Sequence, residues 1–280
     1  MIERINFFIH VLLRNSFFSH KIYRSNSFLG ESKVIGLTRL RNEELILQDS
    51  LDHMSSIVDG IIVYDDKSTD KSLEIAKSHP SVIEVISNKN WRGEQRAWEE
   101  TANRKKLLDR AKRYNPEWLF YFDADERFEG EIRKKILNDS NNVDAIKIRL
   151  YDAYITKDDS RDYQQGDKLF NFRKKFGQER RDITMIWRNK KSIDYSYKPD
   201  MREPNGIESS KTIIDFYCQH YGKSISIEQW EDTCRYYSEN FPMYADKWEE
   251  RKGKAIHTKS DFGTDLMDWD NIKNSDGIKI

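Results

Sequence analysis

Trp118-Leu119-Phe120-Tyr121-Phe122-Asp123-Ala124-Asp125 is the stretch whose reading decides the fold. A short, continuous apolar run enriched in aromatics reads as a strand buried on both faces, as in a parallel sheet. Asp123 and Asp125 follow it directly, so both carboxylates stand at the strand's carboxyl end. Ligands of open α/β sheets bind beyond that end. Side chains at i and i+2 can converge on one hard cation where a strand turns, and Mg²⁺ or Mn²⁺ prefers one or two carboxylates plus substrate phosphates. The pair therefore points to phosphate chemistry, although two Asp after a strand also serve as turn formers.

Working outward, strand and helix patterns alternate. Lys33 to Leu37 reads as a first strand and Asn42 to Ser55 as a helix carrying Leu45, Leu47, Leu51 and Met54. Ile57-Val58 with Ile61 to Tyr64 gives a second strand, Asp70 starts a helix through Ser78, and Val82 to Ile86 gives a third strand. A charged helix from about Glu94 to Tyr114 then leads, through Asn115-Pro116, into the Trp118 strand. This β-α-β-α-β-α-β order predicts an α/β protein with a mainly parallel central sheet flanked by helices.

Two more polar clusters fall at carboxyl ends of these strands. Thr38-Arg39-Leu40-Arg41-Asn42-Glu43 follows the first, and Asp65-Asp66-Lys67-Ser68-Thr69-Asp70 the second. The latter partly builds a turn and helix start, through Ser68 and Asp70. A carboxylate at the strand tip is also suited to a nucleobase imide or a ribose hydroxyl. In Trp91-Arg92-Gly93-Glu94 the glycine permits close backbone approach and the arginine can pair with a phosphate.

With three ordered signatures at strand ends, the chain resembles a family 2 glycosyltransferase of the GT-A fold from about Lys33 to Ser226. The family's Asn-Glu after the first strand is here Arg41-Asn42-Glu43-Glu44; its D-D-x-S-x-D is Asp65 to Asp70; its Asp-x-Asp is Asp123-Ala124-Asp125. The resemblance implies one Rossmann-like GT-A domain over residues 31–225, divided into a nucleotide-sugar half (31–128) and an acceptor half (129–225). Residues 1–30 and 226–280 become N- and C-terminal helical extensions. It also implies that Thr38, Arg39, Asn42, Glu43, Asp65 and Asp66 hold the nucleoside and that Arg92 approaches the uracil or diphosphate. Asp123 and Asp125 hold ribose and metal, Mn²⁺ or Mg²⁺.

In the second half, Ala145 to Tyr151 alternates as a half-exposed strand should. Arg173, Lys174, Lys175, Arg180, Arg181 and Arg188, interleaved with Tyr163, Phe170, Phe172, Phe176 and Trp187, read mostly as solvated charge around a small core. The sharper reading is an acceptor platform, where aromatic faces stack on sugars and arginines engage a phosphate or lipid-linked diphosphate. Asp200-Met201-Arg202-Glu203-Pro204, followed by Cys218-Gln219-His220-Tyr221-Gly222, resembles lipopolysaccharide-core members in which a His-Glu pair precedes a strand ending in His. Arg202 replaces the first histidine. Glu203 stays in register as the acceptor base, with Asp200 and Asp152 behind it, and by resemblance His220 completes the metal shell. The activity implied is transfer of a sugar from a nucleotide-sugar, UDP-linked by expectation, to a hydroxyl of a glycan or lipid-linked acceptor, with inversion.

Composition fits an enzyme. Lys+Arg and Asp+Glu are each 48, so no global charge bias directs the chain to nucleic acid. The two cysteines, Cys218 and Cys234, exclude a disulfide scaffold and suit a reducing, cytoplasmic setting. Phe7 to Leu13, flanked by Arg4 and Arg14, is too short to span a bilayer and reads as a helix packed on the domain, the alternative being a peripheral contact with an anionic membrane. Ser226 can cap a helix whose stripe of Trp230, Cys234, Tyr237 and Phe241 packs on the sheet or forms a homodimer contact, and the tail from Asn271 is expected to be mobile. Two other classes fit the sequence less well. A sugar nucleotidyltransferase carries a Gly-rich loop after the first strand, and Thr38 to Asn42 has no glycine. A non-enzymatic carbohydrate-binding protein would tolerate loss of the paired carboxylates, and both are present.

Overall fold

The computed structural model describes residues 19–25, 32–91, 93, 96–138, 142–177, 180–195 and 198–275. The helix expected over residues 7–13, Arg92 and the last five residues lie outside them. The chain folds into two interleaved units: Met1–Ala124, Arg133–Lys147 and Thr184–Ile213 form the first, and Asp125–Ile132, Ile148–Ile183 and Ile214–Ile280 the second.

In the first unit the strands are β1 (His20–Arg24), β2 (Val34–Leu40), β3 (Gly60–Asp65), β4 (Val82–Asn88) and β5 (Trp118–Tyr121), joined by the Thr184 to Arg188 end of a later strand. Parallel pairing links β4 to β3, β3 to β2 and β2 to β5, with Leu37 opposite both Ile62 and Tyr121. These strands are apolar along their length because helices cover both faces, which leaves no solvent side to call for alternation. Ile35, Leu37, Ile62, Tyr64, Leu119, Tyr121 and Trp187 join Leu107, Leu108 and Ala111 in one core. The helices are α1 (Leu47–Ser55), α2 (Ser72–Ser78), α3 (Arg96–Ala111) and α4 (Ile132–Asn138), the last placing Arg133 on Asp59 at 2.6 Å.

Three expectations change here. β2 runs to Leu40, so Thr38 and Arg39 are strand residues, opposite Val63 and Tyr64, rather than loop residues. α1 starts at Leu47 and not at Asn42, because Asn42 to Glu44 are knitted to the next loop. Asn42 has φ 58 and accepts from Thr69 N–H at 2.8 Å, while Glu43 and Glu44 N–H donate to Ser72 Oγ (2.7 Å) and Asp70 Oδ2 (3.0 Å). Third, residues 20–24, assigned to the N-terminal extension, form an edge strand antiparallel to β4.

The second unit contains β6 (Glu126–Glu129), β7 (Ala145–Tyr154, begun in the first unit), β8 (Lys175–Gly177), β9 (Arg181–Arg188, completed in the first unit), β10 (Thr212–His220) and β11 (Leu266–Asp268). β10 lies between β7 and β6, with His220 opposite Glu126, while β8 joins β7 to β11. Its helices are α5 (Ile227–Asn240), α6 (Ala245–Glu249) and α7 (Trp269–Ser275). Ser226 Oγ accepts from Gln229 N–H, as the capping rule expects. The α5 stripe packs on neighbouring segments of its own unit: Trp230 and Cys234 are buried with Ala255, and Tyr237 stacks on Trp248 at 4.7 Å. Asn271 to Ser275, expected in a mobile tail, belong to α7, because Trp269 packs among Tyr151, Phe176 and Tyr217 and its indole donates to Glu129. Among the described residues no helix is long and apolar enough to cross a membrane.

Candidate active site

The end of β3 delivers two carboxylates into different surroundings. Asp65 accepts from Ser68 N–H (3.0 Å) and Ser87 Oγ–H (3.1 Å), which shapes the turn, and burial pushes its carboxyl above the usual range. Asp66 is fully buried, with Asn88 Nδ2 donating at 2.7 Å, Arg96 Nη2 at 2.5 Å and Arg39 Nη1 at 3.7 Å. Burial alone would raise this carboxyl; Arg96 and Arg39 outweigh it and hold Asp66 below the usual range, ionised.

Helix α3 continues the lattice through i, i+4 spacing, which puts Arg96, Glu100 and Arg104 on one face. Glu100 meets Arg39 at 2.9 Å and Arg104 at 3.6 Å, and Arg104 Nε donates to the Tyr121 hydroxyl at 3.2 Å. Arg96 Nε and Nη1 are buried and have no hydrogen-bond partner among the described residues. Beside them, the Trp91 ring lies under Arg41 at 4.4 Å and Arg96 at 5.5 Å. Thr38 is wholly buried, so it supports the strand end from below.

Asp123, just past β5, meets Arg202 Nη1 at 2.9 Å. The segment carrying Arg202 is pinned to α3: Asp200 N–H donates to Ala97 O (2.7 Å), Met201 N–H to Thr101 Oγ1 (2.9 Å) and Arg104 Nη1 to Met201 O (3.2 Å). Asp200 itself is exposed, with φ 52. Glu203 is half-buried and accepts from Thr184 N–H at 3.2 Å.

The second unit holds the remaining candidates together. His220, at the end of β10, places Nε2 3.4 Å from Asp125 Oδ2 and Nδ1 2.6 Å from Asp152 Oδ1. Burial by itself would lower the imidazole, but Asp125 and Asp152 push it up to about 9. Asp152 also meets Lys223 at 3.1 Å and Arg181 at 2.5 Å; against its burial, Lys223, His220 and Arg181 hold it well below the usual range. Gly222 completes the corner. A Cβ there would stand 2.7 Å from Asp125 Oδ2 and 2.8 Å from His220 Nε2, so any side chain would fill the cradle these two atoms face. Among the described residues no group of three or more His, Cys, Asp or Glu is arranged to hold a metal ion alone. A carboxylate and an imidazole facing one cradle still suit a cation that takes its other ligands from phosphate and water.

The structure thus gathers Arg39, Asp65 and Asp66 at the ends of the neighbouring strands β2 and β3, pairs Asp123 with Arg202, and joins Asp125, Asp152 and His220. Asn42 is spent on bracing Thr69. The sequence alone did not mark Arg96, Asn88, Lys223 or the pairing of Arg202 with Asp123. The Arg96-x3-Glu100-x3-Arg104 spacing was the available signal for the first. Of the basic aromatic segment, Arg173, Phe176 and Trp187 are buried, and Arg173 Nε donates to the Ser224 carbonyl; Arg180 and Arg181 remain exposed.

Residues 40–187 match the family model for glycosyl transferase family 2, and the chain belongs to that family of glycosyltransferases. Solved structures similar to it include Staphylococcus aureus TarS residues 1–349, at 14% identity and TM-score 0.42 over 77% of this chain and 69% of that one. A mannosyltransferase from Pyrobaculum calidifontis in complex with GDP-Man and Mn²⁺ is 14% identical, with TM-score 0.37, over 91% of this chain and 75% of that one. An uncharacterized protein of Mycobacterium tuberculosis is 31% identical over 106 residues, 36% of this chain. The chain spans 25% of the length of the curated relatives it matches.

Proposed function

We propose that this protein moves a glycosyl group from a nucleotide-sugar, with UDP as leaving group, to a hydroxyl of a glycan or lipid-linked acceptor, inverting the anomeric centre. The observation that carries the reading is the Gly222 cradle between Asp125 Oδ2 and His220 Nε2, which suits Mn²⁺ or Mg²⁺ bound with a diphosphate. When bound, the cation would offset the charge growing on the leaving diphosphate as a Lewis acid.

The chain's own residues do the rest. Asp66, ionised, offers an acceptor beside the unspent N–H groups of Arg96, which is the pattern an imide edge of uracil requires, and Trp91 offers a ring face. Arg96 would thus serve base recognition beside Arg92, which lies outside the described residues. Asp123 would face the ribose, with Arg202 adding positive charge on that side. The acceptor oxygen attacks the anomeric carbon as its bond to the diphosphate breaks, and Glu203 takes the hydroxyl proton. Asp152 is a poor base because Lys223, Arg181 and His220 stabilise its ionised form; its work is to orient His220.

The test is thermal melting with UDP and Mn²⁺, which should raise Tm together more than either alone. Asp125→Ala and Gly222→Ala should stay folded and lose the Mn²⁺-dependent part. Full turnover in EDTA, or an undiminished Mn²⁺ shift in both variants, would remove the metal from this reading.

A further inference from the structure

Asp152 and Asp261 each bridge cationic side chains in the second unit, Asp152 holding His220 as a third partner. Asp152 meets Arg181 at 2.5 Å and Lys223 at 3.1 Å; Asp261 meets Lys223 at 2.5 Å and Arg251 at 2.8 Å. The chain Arg181, Asp152, Lys223, Asp261, Arg251 alternates in sign and ends on a cation at both ends. Lys223 is buried at its middle, its ammonium 3.1 Å from the Tyr154 hydroxyl, which also accepts from Asp261 N–H. Arg251 is preorganised, its guanidinium 4.7 Å from the centre of the Trp248 ring.

Lys247 on α6 adds positive charge where it is not balanced. Partial burial of its stem, then Arg251, Lys223 and Arg181, hold its ammonium below the usual range against the opposing pull of Asp261. No hydrogen bond or ion pair engages it among the described residues. Gathering like charges opposes folding unless an anion joins them. Lys247, Arg251 and Asp261 lie beyond residue 187, where the family match ends.

We infer that Arg181, Lys223, Lys247 and Arg251 form an anion site that takes a phosphate or phosphodiester group carried by the acceptor. The identity of the acceptor rests on the glycosyl-transfer reading above. Guanidinium forks match phosphate oxygens in number and plane, and Arg181 and Arg251 stand at the two ends of the chain that runs through Lys223. The same chemistry is present in the donor diphosphate, so the experiment separates the two sources.

Titration calorimetry of the whole protein with inorganic phosphate and with glycerol 3-phosphate, with and without saturating UDP and Mn²⁺, gives the readout. Binding should persist with UDP bound, and should weaken by about tenfold in Lys247→Glu and in Arg251→Gln, the loss expected for one charge-assisted contact. UDP affinity should stay within about twofold, since no UDP contact is removed. Lys247 is exposed on a helix, so Lys247→Ala provides a variant without a folding penalty. Equal phosphate affinity in the parent and all three variants would overturn the site; displacement of phosphate by UDP would give the cluster to the donor. A parent that binds phosphate but no nucleotide would instead sink the glycosyl-transfer reading and the acceptor assignment with it.

Discussion

Arg96 shows what a single residue contributes to both stability and recognition. Its side chain and that of Asp66 are both wholly removed from solvent, and 2.5 Å separates Nη2 from Oδ2. Two such charges are costly to bury and are tolerated because each offsets the other, so removing one leaves the other uncompensated. Arg96→Met should cost about 3 kcal/mol in urea unfolding, and the double variant with Asp66→Asn should recover part of it. UDP affinity should fall at least tenfold in the single variant, as expected for a lost charge-assisted contact. An Arg96→Met protein with parental stability and UDP affinity would remove both roles. The position of Asp66 was legible in the sequence because β3 is a plain apolar run with a carboxylate at its end. Arg96 was not, because its contact depends on the rotation of α3 about its axis, which local pattern leaves open.

At the scale of elements, β1, β4 and α3 are clipped together by one buried acid. Glu84 on β4 accepts from Arg110 Nε and Nη2, each at 2.5 Å, from Arg24 Nε on β1 at 3.2 Å and from the Tyr114 hydroxyl at 3.1 Å. Burial would raise this carboxyl; Arg110, with Arg24 and Tyr114, overcomes it and lowers the carboxyl below its usual value. A carboxyl depressed in the folded state contributes stability that is complete above its unfolded value and disappears as pH falls through the folded one. Glu84→Gln should therefore cost about 2 kcal/mol at neutral pH, the worth of hydrogen bonds to a charged group, and the gap to the parent should narrow as pH falls below about 4.3, the unfolded carboxyl value, closing only below the lower folded one. Denaturant unfolding measured from pH 7 to pH 3 checks this; parallel curves would mean that Glu84 is not ionised in the fold. The sequence legibly marked β2 to β5 and their order, because each is a continuous apolar run ended by polar residues. β1 escaped notice because His20 to Arg24 is an edge strand with little burial, held by pairing to a partner some sixty residues away in the chain, as in Arg24 opposite Glu84. α7 escaped because a single aromatic, Trp269, anchors it in a segment otherwise rich in charge.

At the scale of the whole molecule, the boundary between the two units falls between Ala124 and Asp125, inside the motif that first suggested phosphate chemistry. Asp123, Glu203 and Asp200 belong to the first unit, and Asp125, Asp152 and His220 to the second. The three candidate bases are thus divided, which turns their ranking into a question about which unit handles the proton. Asp152 is committed to Lys223, Arg181 and His220, so neutralising it takes the carboxylate from Arg181, leaves Lys223 on Asp261 alone and loosens the proposed metal ligand. Asp152→Asn should raise the Mn²⁺ concentration needed for half-maximal rate. Glu203 accepts from a backbone donor, Thr184 N–H, at 3.2 Å and follows Arg202, which touches Asp123. Glu203→Gln should leave UDP-sugar affinity near that of the parent, with an unchanged Mn²⁺ requirement, while kcat falls by about two orders of magnitude, the lower range for loss of a general base. Steady-state kinetics of both variants across a Mn²⁺ series distinguishes the assignments. If Glu203→Gln keeps its kcat while Asp152→Asn loses its own at an unchanged Mn²⁺ requirement, the base lies in the second unit; if Glu203→Gln loses UDP-sugar affinity, Glu203 serves the donor.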